Sequence, residues 1–321
     1  MTDRETRLTL EVPGVARETG RPRLLRRRLG TLERRRLLTG LAFISPWLVG
    51  FLAFLVYPIV SNVWYGFTDY SGFGEAEFVG LDNYSRMKGD TLFWKSLYNT
   101  LYYTILAVPV GVIVAIGLAV AMNQRVREVS IYRAALFLPS VLPLFALSFI
   151  FIWLLNPRYG LVNHALAPFG VEPINWFGDP TWARLSIVLL AQLGAGQFAV
   201  IFLAGLRAIP TTLYDAAAID GAGTWSKFRK ITIPLLTPLI LYDVIIGIGF
   251  GLQVFTQAYI ITQGGPDNST LFYVLYLYNQ AFRYGDFGYA AALSCVLFVI
   301  SLFLALIVFW TSRRWVHYEL E

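Results

Sequence analysis

From Leu37 to Thr68 the chain carries no Asp, Glu, Lys or Arg. The same silence recurs from Ser96 to Gln124, between Arg133 and Arg158, between Arg184 and Arg207, and between Asp286 and Arg313. A sixth apolar stretch, Ile231 to Pro266, holds a single acid, Asp243. Each run reaches the roughly 20 residues that a helix needs to cross about 30 Å of hydrocarbon. A bilayer interior offers the backbone no water, so such segments must be helices rather than open strands. The expectation is an all-α, polytopic membrane protein with six transmembrane helices. Composition agrees: charged residues make up 14% of the 321 positions, against roughly 25% in an ordinary soluble domain.

Lys and Arg set the expected orientation. Eleven arginines lie between Arg4 and Arg36. Arg125, Arg127 and Arg133 follow the second run; Arg207, Lys227, Arg229 and Lys230 follow the fourth; Arg313 and Arg314 follow the sixth. The alternate loops hold only Arg86, Lys88, Lys95, Arg158, Arg184 and Arg283. Basic residues mark the cytoplasmic side, so both termini are expected in the cytoplasm. Residues 1–36 read as a basic, largely disordered tail that touches anionic lipid rather than nucleic acid, since no folded nucleic-acid-binding motif accompanies them. Residues 37–321 read as the membrane domain.

Several kinds of chemistry have no residues to carry them. Cys295 is the only cysteine, which excludes an intrachain disulfide and a cysteine zinc site; His164 and His317 are the only histidines and lie far apart. No metal site and no catalytic residues are expected. The stretch Gly223 to Lys227 lacks the second glycine and the spacing of a phosphate-binding loop. Gly247 to Gly251, "GIGFG", sits inside an apolar span with no strand before it, so close helix packing is the expected role.

One cytoplasmic segment, about residues 207–234, is patterned unlike the rest. Pro210, Thr211 and Thr212 read as a helix start, with Thr212 and Asp215 spaced as a capping box. Ala216, Ala217 and Ala218 give a thin helix surface, and Gly221 ends or bends the helix because it can take positive φ. A second amphipathic turn brings up Trp225, Phe228 and Ile231, and Pro234 is expected to stop it before the fifth span. The residues alone admit two readings: a surface for a partner protein, or an interfacial helix lying on lipid headgroups.

The run "DAAAIDGAGTWSKFRKITIP" resembles the EAA loop of binding-protein-dependent ABC importer permeases. Asp215, Ala216, Ala217, Asp220, Gly221, Ala222, Phe228, Ile231 and Pro234 fall on that pattern, with Asp215 standing where the family usually has Glu. The stretches "FLPSVLPLFALSFIFIWLLNPRYGLVN" and "TQGGPDNSTLFYVLYLYNQAFRYGDFGYAAALS" are similar to the sugar-permease branch, the maltose and glycerol-phosphate type. The resemblance covers nearly everything from about Leu37 onward and implies a type I ABC importer permease fold. It also implies a cytoplasmic (inner) membrane location in a prokaryote. The expected partners are a second related permease, two ATP-binding subunits and an extracytoplasmic solute-binding protein. ATP and Mg would be held by the ATP-binding subunits, with no cofactor in this chain. Asp215, Ala216, Ala217, Asp220, Gly221, Phe228 and Pro234 would then couple to the ATPase. This chain itself is not expected to be an enzyme. The same architecture could import glycerol phosphate or another small solute; a self-sufficient secondary transporter is disfavoured by scarce intramembrane charge and by the absence of an evident inverted repeat.

A translocation path needs polar groups within the membrane. Gln192, Gly194 and Gln197 precede the coupling loop, and Gly247, Gly251, Gln253, Thr256 and Gln257 follow it. Amides replace a sugar's water contacts and glycines allow close backbone approach; hydrogen bonding between helices is the competing role. Tyr102, Tyr103 and Trp153 are expected to supply aromatic faces. Asp243, nine residues past Pro234 and so roughly 13 Å along the helix, is expected to have a structural partner, with a watery path as the alternative.

Overall fold

The structure is a computed structural model, and it describes residues 31–124 and 126–317. The chain divides into two compact units at Pro58. In the first unit, helix α1 (Thr31–Phe51) leads into a π-helical turn, Leu52–Val56. Its start at Thr31 lies inside the segment expected to be a tail; residues 1–30 of that tail fall outside the described residues. The run Arg34–Tyr65 is long and apolar enough to cross a membrane. Trp47 stacks on Phe51 one turn away, with ring centroids 5.2 Å apart.

Helix α2 (Tyr57–Tyr65) runs from the boundary into the second unit, where a two-residue antiparallel ladder follows. In it β1 (Thr68–Asp69) pairs with β2 (Glu77–Phe78), Thr68 opposite Phe78. Helices α3 (Asp82–Gly89) and α4 (Thr91–Met122) come next, then the pair α5 (Val129–Phe137) and α6 (Leu144–Leu154). After α7 (Leu161–Leu166) come α8 (Pro180–Ala191) and α9 (Gly196–Ala208), joined by a 3₁₀ turn, Gln192–Ala195. Then follow α10 (Thr211–Ile219), α11 (Thr224–Lys227), α12 (Ile233–Leu252), α13 (Thr256–Ile261), α14 (Tyr273–Tyr278) and α15 (Phe287–Ser312).

Among the described residues, five helical runs are long and apolar enough to span, and the α5–α6 pair makes a sixth, bent by 96°. This fits the six transmembrane helices expected, with the third broken. Pro139 lies in a 3₁₀ turn (Leu138–Val141) after α5, and Pro143 opens α6. Each ring removes a backbone donor and clashes with the preceding turn, so the helix changes direction between them.

Helix α4 is the central post. It packs on α9 and α12, and α12 packs in turn on α15. Ala115 and Ala119, one turn apart on α4, are fully buried together with Ala199 of α9 and Leu236 of α12. Small residues at this spacing let helix backbones approach closely, which is the main source of packing energy inside a membrane. Two of the three "GIGFG" glycines act the same way, while a Cβ on Gly249 would meet nothing within 4 Å. A Cβ on Gly251 would stand 2.9 Å from the Thr104 side chain, and one on Gly247 would stand 3.3 Å from Val108.

The N-terminal ends of α4 and α15 are tied by one carboxylate. Asp90 caps α4, its Oδ1 accepting from Leu92 N at 2.9 Å and Phe93 N at 3.2 Å. Its Oδ2 accepts from the hydroxyls of Tyr289, at 2.6 Å, and Tyr276. Gln280 Nε2 donates to Tyr276 at 2.7 Å, while Arg86 pairs with Asp286 at 2.5 Å and lies 4.1 Å over the Tyr289 ring. Burial pushes the Asp90 carboxyl up, but the four donated hydrogen bonds outweigh it and its pKa is lowered. The stabilisation is therefore complete above the ordinary Asp value of about 3.9 and is lost as pH falls through the lowered one. Asp90→Ala removes a cap and leaves two tyrosine hydroxyls short of an acceptor, an expected loss of about 2 kcal/mol. Thermal unfolding of the detergent-purified protein at pH 7 measures this directly, and an unchanged midpoint would refute the role.

Candidate functional site

The two breaks in the helices meet. The 3₁₀ turn Leu138–Val141 packs against the 3₁₀ turn Gln192–Ala195, and a Cβ on Gly196 would stand 2.8 Å from Ser140 Oγ. Beside this junction opens a cavity of about 520 Å³, walled by α4, α6, both turns, α9, α12 and the segment after α12. Gln192, Gly194 and Gln197 line it from the α8–α9 side, Gly247 and Gly251 from α12, and Gln253, Thr256 and Gln257 from the turn beyond. A Cβ on Gly194 would meet nothing within 4 Å, so its vacant side faces open space.

Two of the amides, Gln192 and Gln197, are anchored rather than loose. Gln192 Nε2 donates to Val188 O at 2.8 Å and to Ala107 O at 3.5 Å, and Gln197 Nε2 donates to Ser140 O at 3.3 Å. Helix–helix hydrogen bonding and cavity lining, the two roles considered for these residues, are thus combined in the same side chains.

Asp243 corrects an expectation. It lines the cavity, and its buried Oδ2 has no hydrogen-bond partner among the described residues. Positions 243, 247 and 251 lie one helical turn apart on one face of α12, so the acid shares the wall of the two glycines. The aromatic assignment also changes. Tyr103 lines the cavity, whereas neighbouring Tyr102 lies beneath the Arg184 guanidinium at 4.8 Å and Trp153 is exposed elsewhere. One residue's step turns a helix by about 100°, which separates the two tyrosines. The missing aromatic wall comes from Phe198, Phe250 and Phe255. Phe250 and Phe255 flank the already suspected Gly251 and Gln253, and that adjacency was the available signal. Among the described residues, the wall holds no Lys, Arg or His.

The segment expected to couple is a second candidate site. Helix α10 ends in a Schellman motif: Ala222 N donates to Ala217 O at 2.8 Å and Gly221 N to Ala218 O at 3.0 Å. Gly221 takes φ +76°, as anticipated from its sequence position. Asp215, Ala216 and Asp220 are exposed, and Ala217 and Phe228 are half-buried. Ile219 is 87% exposed and Trp225 72%, so two large apolar side chains flank the elbow uncovered. Tyr214 and Thr232 share a hydrogen bond of 2.9 Å that holds α10 against the following helix.

Two local expectations fail here. Thr212 and Asp215 form no capping box: α10 begins at Thr211, Pro210 precedes it in extended conformation, and no side chain caps the end. Nor does Pro234 stop the second helix. Helix runs from Thr224 through a π-helical turn, Phe228–Thr232, directly into α12. In that turn Ile233 N donates to Phe228 O, five residues back. The widened turn makes room for the proline ring, whose missing N–H would otherwise break the ladder.

The loop Gln263–Thr270 follows α13 in the chain. It is knit by Thr262 Oγ1 to Thr270 Oγ1 at 2.6 Å, Thr270 Oγ1 to Gly265 O at 2.7 Å, and Asn99 Nδ2 to Asn268 O at 2.8 Å. Gln263, Asp267 and Asn268 are exposed. Single cysteines at these three positions, in a Cys295→Ser background, are expected to react with membrane-impermeant thiol reagents added outside intact cells. Labelling confined to inverted vesicles would overturn the orientation expected from the basic residues.

Residues 94–317 match the family described as binding-protein-dependent transport system inner membrane component. Among curated relatives, the "Probable ABC transporter permease protein YesP" of Bacillus subtilis (strain 168) is 39% identical, over 88% of this chain and 93% of the relative. The lactose transport system permease protein LacF of Rhizobium radiobacter is 35% identical, over 86% and 94%. The trehalose/maltose transport system permease protein MalF of Thermococcus litoralis is 34% identical, over 82% and 90%. A crystal structure of a bacterial ABC transporter that imports the acidic polysaccharide alginate contains a chain with the same fold. The match has a TM-score of 0.76 and 24% identity, and covers 88% of this chain and 97% of that one.

Proposed function

The chain belongs to the family of binding-protein-dependent transport system inner membrane components, and from that premise we propose that it is a permease subunit of an ATP-driven importer for a neutral sugar or oligosaccharide. The observation that carries the choice of solute is the cavity wall. It combines amides, hydroxyls and aromatic faces, and among the described residues it has no cation. Sugars need hydroxyl and amide partners and an apolar face, whereas a phosphorylated solute halfway across a membrane needs Arg or Lys. Relatives that carry lactose and trehalose or maltose in their names support the same reading.

The complete transporter in this reading has a second related permease, two ATP-binding subunits and an extracytoplasmic solute-binding protein, in a bilayer with both termini of this chain cytoplasmic. ATP and Mg belong to the ATP-binding subunits, and no nucleic acid is involved. Helix α10 supports a mechanical role because both helices flanking it reach the cavity: α9 carries Gln197, and the helix from Thr224 carries Asp243, Gly247 and Gly251. A push on α10 by an ATP-binding subunit is thereby transmitted along rigid rods, at about 1.5 Å per residue, to the cavity wall. The uncovered Ile219 and Trp225 offer that subunit an apolar anchor.

Affinity purification from the native membrane, with identification of the co-purifying chains, tests the assembly. ATP hydrolysis by that complex with its loaded binding protein tests the solute. Stimulation by neutral oligosaccharides is expected, and stimulation by glycerol phosphate alone would sink the sugar assignment.

A further inference from the structure

We propose that Asp243 and the side-chain oxygen of Gln192 form an acceptor subsite that selects solutes by the hydrogen-bond donors they present, sugar hydroxyls or an ammonium group, and repels anionic oxygens. This deepens the permease reading and rests on it. Asp243 is only 6% exposed, yet it lines the cavity with Oδ2 unpartnered. Among the described residues, no Lys, Arg or His lines that cavity to neutralise it. Gln192 is left in the same condition. Its Nε2 faces the carbonyls of Val188 and Ala107, which can only accept, so the amide must turn its nitrogen toward them and its oxygen away. That Oε1 is buried without a partner, next to Gly111, where a Cβ would stand 3.4 Å from it.

Each of these two cavity-lining residues therefore keeps one buried side-chain oxygen, an acceptor, without a donor among the described residues. A buried acceptor without a donor is costly, and the cost is relieved when a donor-rich solute enters. Tyr103, Phe198 and Phe250 line the same space and suit the C–H faces of a sugar ring. Hydroxyls satisfy both acceptors. An ammonium does so with added Coulomb attraction, and a phosphate or carboxylate meets two lone-pair surfaces and a negative charge.

The test is initial uptake into proteoliposomes holding the full complex and its loaded binding protein. The probes are labelled trisaccharides of glucose, galactose and xylose, a glucosamine trisaccharide, and glycerol phosphate. Asp243→Ala is expected to slow uptake of the best wild-type sugar about tenfold or more, and to narrow the preference for sugar over glycerol phosphate by a similar factor. Asp243→Asn keeps one acceptor oxygen without the charge. It should restore uptake to within about threefold of wild type if hydroxyls are the donors, and leave it about tenfold down if an ammonium is. Gln192→Leu, which removes the second acceptor, should lower uptake without abolishing it. An acid with a purely structural role would slow every probe in proportion, and that result overturns the proposal, as does an Asp243→Ala complex indistinguishable from wild type. Should Asp243→Ala fail to assemble, an unaltered sugar preference in the Asn and Gln192→Leu variants also overturns it. Failure of the wild-type complex to transport any sugar probe would instead refute the functional reading beneath it.

Discussion

Gly221→Pro is expected to bring solute-stimulated ATP hydrolysis by the reconstituted transporter down to its basal rate while the spans still insert. Gly221 adopts φ +76° at the end of α10, and proline is locked near −65°. The residue also donates its N–H to Ala218 O, a donor that proline lacks. Both hydrogen bonds of the Schellman motif would be disrupted, and the elbow between α10 and the helix from Thr224 would take another direction. A Cβ at this position meets nothing within 4 Å, so the failure comes from backbone conformation and not from a clash in the core. Gly221→Ala, which keeps the N–H and bears only the αL penalty of roughly 1–2 kcal/mol, should be affected less. Asp215→Ala should also weaken coupling, because Asp215 is exposed and has no ion-pair partner among the described residues, free to meet a cation of an ATP-binding subunit. Normal stimulated hydrolysis in both Gly221→Pro and Asp215→Ala would remove the coupling role from α10.

Gly194→Trp is expected to reduce uptake about tenfold or more, equivalent to ~1.4 kcal/mol or greater, in a complex that assembles normally. Gly194 lines the cavity, and a side chain there meets no neighbour within 4 Å. An indole at that point fills part of the roughly 520 Å³ that a sugar would occupy. The contrast is Gly205, where a Cβ would stand 2.3 Å from Leu239 and any larger residue disturbs α9–α12 packing instead. Uptake and assembly, read by size-exclusion chromatography, separate the two effects. Undiminished uptake by an assembled Gly194→Trp complex would show that the cavity is not on the path.

How much of this was legible in the sequence depends on which physical signal is followed. Charge-free length identified the spans because removing charge from lipid is a large term that few residues can violate. It carries no information on direction, so the 96° bend between α5 and α6 went unread although Pro139 and Pro143 were in view. Polar residues within apolar runs located Gln192, Gly194 and Gln197, and also Gly247, Gly251, Gln253 and Gln257, all of which reach one cavity. The same argument misjudged Asp243, because distance along the helix was weighed and the 243, 247, 251 register was not. Phe198, Phe250 and Phe255 were missed for a different reason: phenylalanine in a span is ordinary, and apart from the adjacency of Phe250 and Phe255 to suspected residues only the tertiary fold tells a cavity wall from a lipid-facing surface. Gly221 was readable because positive φ is a demand few residues meet. The path of the chain at Pro234 was not, since a π-turn accommodates the ring without interrupting the helix.

The most direct measurement is uptake of a labelled neutral oligosaccharide into proteoliposomes that contain this chain with its co-purifying subunits. The account predicts accumulation only when the loaded binding protein is outside this chain's outer loops and ATP is present on the side of α10, with no response to an imposed proton or sodium gradient. Accumulation driven by an ion gradient in the absence of ATP, or by this chain without its partners, would contradict it.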